Sequence, residues 1–281
     1  MGKNMFKSKR YDDETLRHLQ KVQLMMLKDF IKICEENDIT YFVIGGTLLG
    51  TIRHGGFIPW DDDIDVLMFR KDFEKLNNVM SENPNEKYHL FNVLNEETYH
   101  YTFARFNLKN TVLEEWWAKQ VDYTVNIFID IFIMDNIPDN KIKRSIHRWR
   151  CFTLNQMVLY SIIKFENESK LKEILQRIAY YFLKIIPISP MTIKKRCVKT
   201  YRKYENIECK EVCDFPSVMF MPIYDKNDIL PPKIMEFEDI KVTVPNNYDK
   251  ILTRLYGNYM ELPPEDKRFR PAPEKIDFGK Y

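Results

Sequence analysis

Four aspartates crowd the segment FIPWDDDIDVLMF, residues 57–69: Asp61, Asp62, Asp63 and Asp65 occupy four of five consecutive positions, and β-forming residues follow at once. Side chains alternate faces along a strand, so the spacing predicts Asp61, Asp63 and Asp65 on one face, with Asp62 turned away as a surface or outer residue. Three converging carboxylates repel one another, and burial raises their affinity for protons. A hard divalent cation removes that cost, because Mg²⁺ takes oxygen ligands and keeps phosphate oxygens among them. A second anomaly stands in FIDIF, residues 128–132, where Asp130 interrupts an apolar strand pattern. Upstream, Gly45 and Gly46 separate a short apolar run from a helical pattern. Glycines at such a junction let phosphate oxygens approach backbone N–H groups and the positive end of the helix. A polar strand edge with a solvated turn explains DDDID alone, and is a weaker account of all three features together.

The elements that must position these residues can be read from periodicity. Residues 12–37 carry apolar residues at helical spacing with acids at the start, which predicts a helix. Residues 41–46 predict a short buried strand ending in the two glycines, with a helix opening at Thr47. Strands are expected at 64–69, 88–94, 99–108 and 124–135, and a helix behind the first of them at 70–80. From about Lys141 to Tyr204 the pattern turns helical, with PISP (187–190) separating two helices. The tail from Cys213 is rich in proline and aromatics, with one short helix at 248–260. The expected organisation is a catalytic core over 1–138, a basic helical region over 139–212 and a C-terminal block over 213–281 that packs back on the core.

Composition bounds the partners. The chain has 281 residues, 44% of them hydrophobic and 14% aromatic, as an ordered globular protein requires. A formal charge of +2 gives no case for nucleic acid. Locally, however, Asp139 to Lys203 holds 16 Lys/Arg against 4 Asp/Glu. This face is either solvated or suited to an anionic membrane surface. The apolar runs 151–163 and 178–191 fall short of a spanning helix and read first as core helices, with an interfacial helix as the alternative. The opening residues MGKNMFKSKRYDDE hold no apolar signal region, so a reducing cytoplasmic setting is expected. Cys197, Cys209 and Cys213 lack zinc-like spacing and an obvious fourth ligand, leaving ordinary thiols as the default.

Strand, Gly-Gly, helix, Asp-x-Asp on a strand and a lone Asp on a later strand resembles the nucleotidyltransferase superfamily. More specifically, GGTLLGTIRHGGFIPWDDDIDVLM (45–68) resembles the signature of the LicD family, which includes fukutin and fukutin-related protein. ARFNLKNT (104–111), IDIFIMD (129–135) and residues 237–268 resemble further family blocks in order. The fold that this implies is α/β (α+β), a small mixed sheet flanked by helices, plus a helical C-terminal part. The activity it implies is transfer of a phosphoalcohol, phosphocholine foremost, from CDP-choline or another CDP-alcohol to a sugar hydroxyl of a glycan, free or lipid-linked. Mg²⁺ or Mn²⁺ is the implied cofactor, held by Asp61, Asp63, Asp65 and Asp130. Asp63, Asp65 and Asp130 are the implied catalytic set, for an in-line displacement from which cytidine monophosphate leaves. One departure stands out: where the family often has histidines after the PPxxKR block, this chain reads KRFRPAPEKIDFGKY, with Arg268 and Arg270 supplying charge.

Gly45, Gly46, Thr47, Arg53, Arg105 and Trp60 form the expected substrate-binding set. Arg53 can clamp phosphate or make a surface ion pair, and Arg105 can touch phosphate or close an ion pair at the core edge. His54 reads as a structural hydrogen-bonder. Trp60, and the pair Trp116–Trp117 beside Glu114–Glu115, have the chemistry of a wall for a quaternary ammonium, though packing is the plainer role. Transfer of a nucleoside monophosphate and an inactive membrane-associated scaffold are the competing readings.

Overall fold

The computed structural model describes residues 10–165, 170–217 and 221–281. The first half is built from α1 (Asp13–Glu36), β1 (Phe42–Val43), α2 (Gly45–His54), β2 (Asp65–Phe69), α3 (Arg70–Glu82), β3 (Tyr88–Phe91), β4 (Ala104–Leu108), β5 (Val112–Glu114) and β6 (Phe128–Ile137). The helices α4 (Lys141–Ile162), α5 (Lys170–Ile185) and α6 (Pro190–Tyr201) follow. The chain closes with β7 (Glu211–Asp214), β8 (Ile223–Asp225), α7 (Lys226–Ile229), β9 (Lys233–Phe237), β10 (Ile240–Val244), α8 (Tyr248–Tyr256) and β11 (Lys275–Asp277).

Among the described residues the main sheet has seven strands, with β1-β2-β6-β4-β3 in order and β7 and β8 continuing from β6. Of the described strand pairs, β2 and β6 alone run parallel. The near-continuous apolar run of β6 explains its length: its first half pairs with β4 and its second half with β7. Helix α1 starts on an N-cap, with Asp12 accepting the Thr15 N–H at 2.8 Å. Its buried face, Leu19, Met26, Leu27 and Phe30 among others, belongs to the main core with Phe42, Leu67, Phe106 and Ile129. A second core gathers Trp117, Val158, Cys197, Tyr201 and Phe215 around α4 and α6.

The mixed α/β class follows the expectation, and several details differ from it. Gly45 and Gly46 are themselves the first turn of α2, which Gly55 ends in the left-handed region at φ +67°. Residues 99–103 are not strand; Tyr99 to Phe103 form an aromatic cluster instead of alternating. The C-terminal block carries strands as well as helix: β7 joins the main sheet, β9–β10 makes a hairpin, and β11 pairs with β5. The core-helix expectation for 178–191 fails over α5, which has no buried residue.

Candidate active site

Register sets the geometry. Across the sheet, Asp65 on β2 stands beside Asp130 on β6, Asp130 beside Arg105 on β4, and Arg105 beside Phe91 on β3. One transverse row therefore carries two carboxylates and a guanidinium side by side. Arg105 Nε donates to Asp130 Oδ1 at 2.7 Å, with both groups buried. The guanidinium also lies 3.6 Å from the centre of the Phe128 ring and 4.4 Å from that of Tyr101. Burial pushes Asp130 up to about 6 against the opposing pull of Arg105. Of the two readings open for Arg105, the ion pair is the one formed.

The aspartates before β2 are not on a strand. Residues 57–64 form a loop, so alternation does not govern them, and Asp62 is not turned away from its neighbours: Asp61, Asp62 and Asp63 bring carboxylate oxygens within 4.8 Å of one another. Buried amides from α1 hold this loop. Gln20 Nε2 donates to the Asp61 carbonyl at 2.9 Å and Gln23 Nε2 to the Asp62 carbonyl at 2.9 Å. The α2 glycines meet the acids directly. Gly45 sits at φ +58°, and a methyl built there would lie 2.6 Å from Asp65 Oδ2; one on Gly46 would collide with Asp61 Oδ2. Glycine thus lets the helix N-terminus rest against carboxylates, whose charge its dipole favours. The Thr47 hydroxyl accepts the Asp65 N–H at 2.8 Å, fixing the start of β2.

Electrostatics divide the acids. Arg270, from the tail, donates through Nε to Asp61 Oδ1 at 2.9 Å and lies 3.9 Å from Asp62 Oδ1. Burial first and the Asp63 charge second still push Asp61 to about 6 and Asp62 to about 7. Asp65 is pushed well above the carboxylate range by burial, then by Asp63 and Asp130. Among the described residues the side chains of Asp63 and Asp65 accept no hydrogen bond, whereas Asp61 and Asp130 each accept one from an arginine. An all-oxygen donor set of crowded, underneutralised carboxylates fits a hard divalent cation.

Two cavities adjoin this centre, and Tyr256 lines both. One, of about 530 Å³, is bounded by Gly46, Asp61, Arg53, Trp60, Lys267 and Arg270. The other, of about 490 Å³, is bounded by Gly45, Asp65, Phe132, Asp214, Tyr224 and Arg254. Arg53 donates to the Tyr259 carbonyl at 2.8 Å and, among the described residues, makes no carboxylate pair. Burial, and then the Arg53 charge, lowers the proton affinity of His54 below that of an ordinary imidazole. Trp60 has the Arg268 guanidinium 5.7 Å from its ring centre. The Trp116–Trp117 pair forms no cage: Trp117 is buried against His100, whereas Trp116 is exposed beside Phe165. The five cysteines are buried free thiols, and none belongs to a metal-binding cluster among the described residues.

Sequence reasoning missed Gln20, Gln23 and Tyr256, and credited Arg270 with charge alone. A signal existed for the glutamines: two amides three apart on an otherwise apolar helix face. None existed for Arg270, which reaches Asp61 across 209 residues of chain.

Two acids thus stand side by side on a small mixed sheet, under a helix that opens on two glycines. The family described as LicD/FKTN/FKRP, nucleotidyltransferase domain, matches residues 38–164. Over 279 aligned residues the chain is 30% identical to the lipopolysaccharide cholinephosphotransferase LicD of Haemophilus influenzae, covering 90% of this chain and 94% of that protein. A 42-residue stretch is 40% identical to the ribitol 5-phosphate transferase FKRP of human and of mouse, 15% of this chain and 8% of those proteins. The chain belongs to the LicD family.

Proposed function

We propose that this protein transfers a phosphoalcohol, phosphocholine foremost, from a CDP-linked donor to a sugar hydroxyl of a cell-surface glycan. The observation that carries the reading is the register pair Asp65–Asp130, flanked by Asp61–Asp63 and set between two cavities. The likeness to a cholinephosphotransferase along nearly the whole chain supports the substrate class. The cationic and aromatic 530 Å³ cavity suits a nucleoside diphosphate, with Arg53, Lys267 and Arg270 as countercharge.

Asp61, Asp63, Asp65 and Asp130 are the residues to hold Mg²⁺ or Mn²⁺, and Asp62 lies close enough to join them. Such a cation, when bound, neutralises the acids and the donor pyrophosphate together. Arg105 keeps Asp130 in one orientation through Oδ1. Burial makes Asp130 a stronger base, suited to accept the proton of the attacking hydroxyl. The sugar oxygen forms the new bond to the phosphorus next to the alcohol, and cytidine monophosphate departs with the electrons of the broken bond. A lipid-carried acceptor is met at a membrane surface, so peripheral association is part of this reading.

Incubation with Mg²⁺ and CDP-choline labelled in both halves tests it. Release of labelled cytidine monophosphate, with choline label on the glycan, is the expected result. Nucleotide label on the glycan would instead establish nucleotidyl transfer.

A further inference from the structure

Helices α4 and α5 each turn an apolar stripe outward. At about 100° per residue, Leu171, Ile174, Leu175, Ile178, Tyr181, Phe182 and Ile185 of α5 fall within an arc of about 120°. All of them are exposed, with Leu171 at 69% and Ile185 at 81%. The opposite side faces the protein, where Gln176 donates to the Tyr160 hydroxyl at 3.2 Å and Leu183 packs on the second core. Helix α4 repeats the design. Ile142, Ile146, Trp149 and Phe152 share a similar arc and are exposed, Ile142 at 72% and Trp149 at 67%, while His147, Cys151 and Asn155 are buried. In α5 the richer apolar face is the outward one, whereas α4 is apolar on both sides and buries Val158 and Ile162 opposite its exposed stripe.

Charge indicates what covers these faces. Residues 141–185 hold ten Lys/Arg against three acids. Lys141, Lys143 and Arg150 border the α4 stripe, and Lys170, Lys172 and Arg177 border that of α5. An apolar stripe flanked by cations on both sides matches a bilayer with anionic headgroups, where the apolar residues enter the interface and the cations meet phosphate. A second copy of the chain would bring the same cations against each other. Among the described residues no helix is long and apolar enough to cross a membrane, so the helices lie in the interface plane.

We propose that the exposed faces of α4 and α5 dock this protein onto the surface of an anionic lipid bilayer. The inference extends the peripheral part of the transferase reading. Its test needs no donor, metal or turnover, so the two stand or fall separately.

Cosedimentation with vesicles of phosphatidylcholine alone, and of equal parts phosphatidylcholine and phosphatidylglycerol, reads the docking directly. The intact protein is expected to bind the anionic vesicles at least about tenfold more tightly than the neutral ones, and to weaken as salt rises. Trp149→Glu with Phe182→Glu should lower anionic-vesicle binding by roughly tenfold or more while leaving the melting temperature unchanged. Lys143→Glu with Lys170→Glu, which leaves the apolar stripes intact, should weaken binding to anionic vesicles alone. No vesicle binding, equal binding to both compositions, or unchanged binding by both variants overturns the proposal. So does a dimer, seen by analytical ultracentrifugation, that the Trp149/Phe182 variant converts to monomer.

Discussion

The acidic centre and the α4–α5 face depart from the inside-out rule in opposite directions. At the centre, charge is turned inward: Asp61 and Asp130 are buried, and Asp65 lies at a cavity wall beside them. On α4 and α5, apolar residues are turned outward over buried His147, Cys151 and Asn155. The two regions also differ in support. The centre is pinned from several elements at once, by Gln20, Gln23, Thr47, Arg105 and Arg270. Helix α5, by contrast, contributes no buried residue. A misfit held rigid from all sides suits a ligand that must be gripped in one geometry, and a misfit on a loosely seated helix suits a surface with no fixed shape.

If charge at the centre serves function at the expense of stability, Asp65→Asn should separate the two most sharply. Activity is expected to fall roughly a thousandfold, while the metal-free protein melts at a higher temperature, read by turnover and by calorimetry. Gly45→Ala comes next. A side chain at φ +58° strains the backbone and displaces Asp65 Oδ2, which should lower turnover about a hundredfold and stability by about 1–3 kcal/mol. Gln23→Leu tests the loop support from behind; about a tenfold loss of metal affinity or activity is expected by titration.

The pH response follows from the raised carboxyls. Asp61 and Asp62 rise from an ordinary 3.8 to about 6 and about 7 when folded. A folded state that holds protons more tightly than the unfolded one gains stability below the unfolded pKa, and loses it as pH rises through the folded values. Metal-free protein should therefore melt higher near pH 5 than near pH 8, and Mg²⁺ should narrow the gap by favouring the ionised acids. Smallest of all, Trp149→Glu is expected to shift stability by less than about 0.5 kcal/mol, since its exposed side chain gives up little packing.

Much of the centre was legible because it violates local expectation. An acid inside FIDIF and four in WDDDID are anomalies visible without coordinates, and the family resemblance supplied the mixed α/β class. Alternation failed for Asp61 to Asp63 because Pro59 and the loop that follows it delay the strand until Asp65. Arg270 was unreadable because proximity across 209 residues depends on how the tail crosses the sheet. The outward stripe of α5 carries the same periodicity as a core helix, and periodicity gives the face without saying which way it points. The strands β7 to β11 are short, and β7 owes its place to pairing with the far half of β6.

The most direct test of the central claim is a melting curve with CDP-choline and Mg²⁺, each alone and together, for the native protein and Asp63→Ala. A donor that binds through metal-loaded carboxylates stabilises the fold by mass action only when both are present. The expected result is a cooperative rise in melting temperature for the native protein that is lost in Asp63→Ala. An equal rise without Mg²⁺, or one that survives Asp63→Ala, would contradict the account.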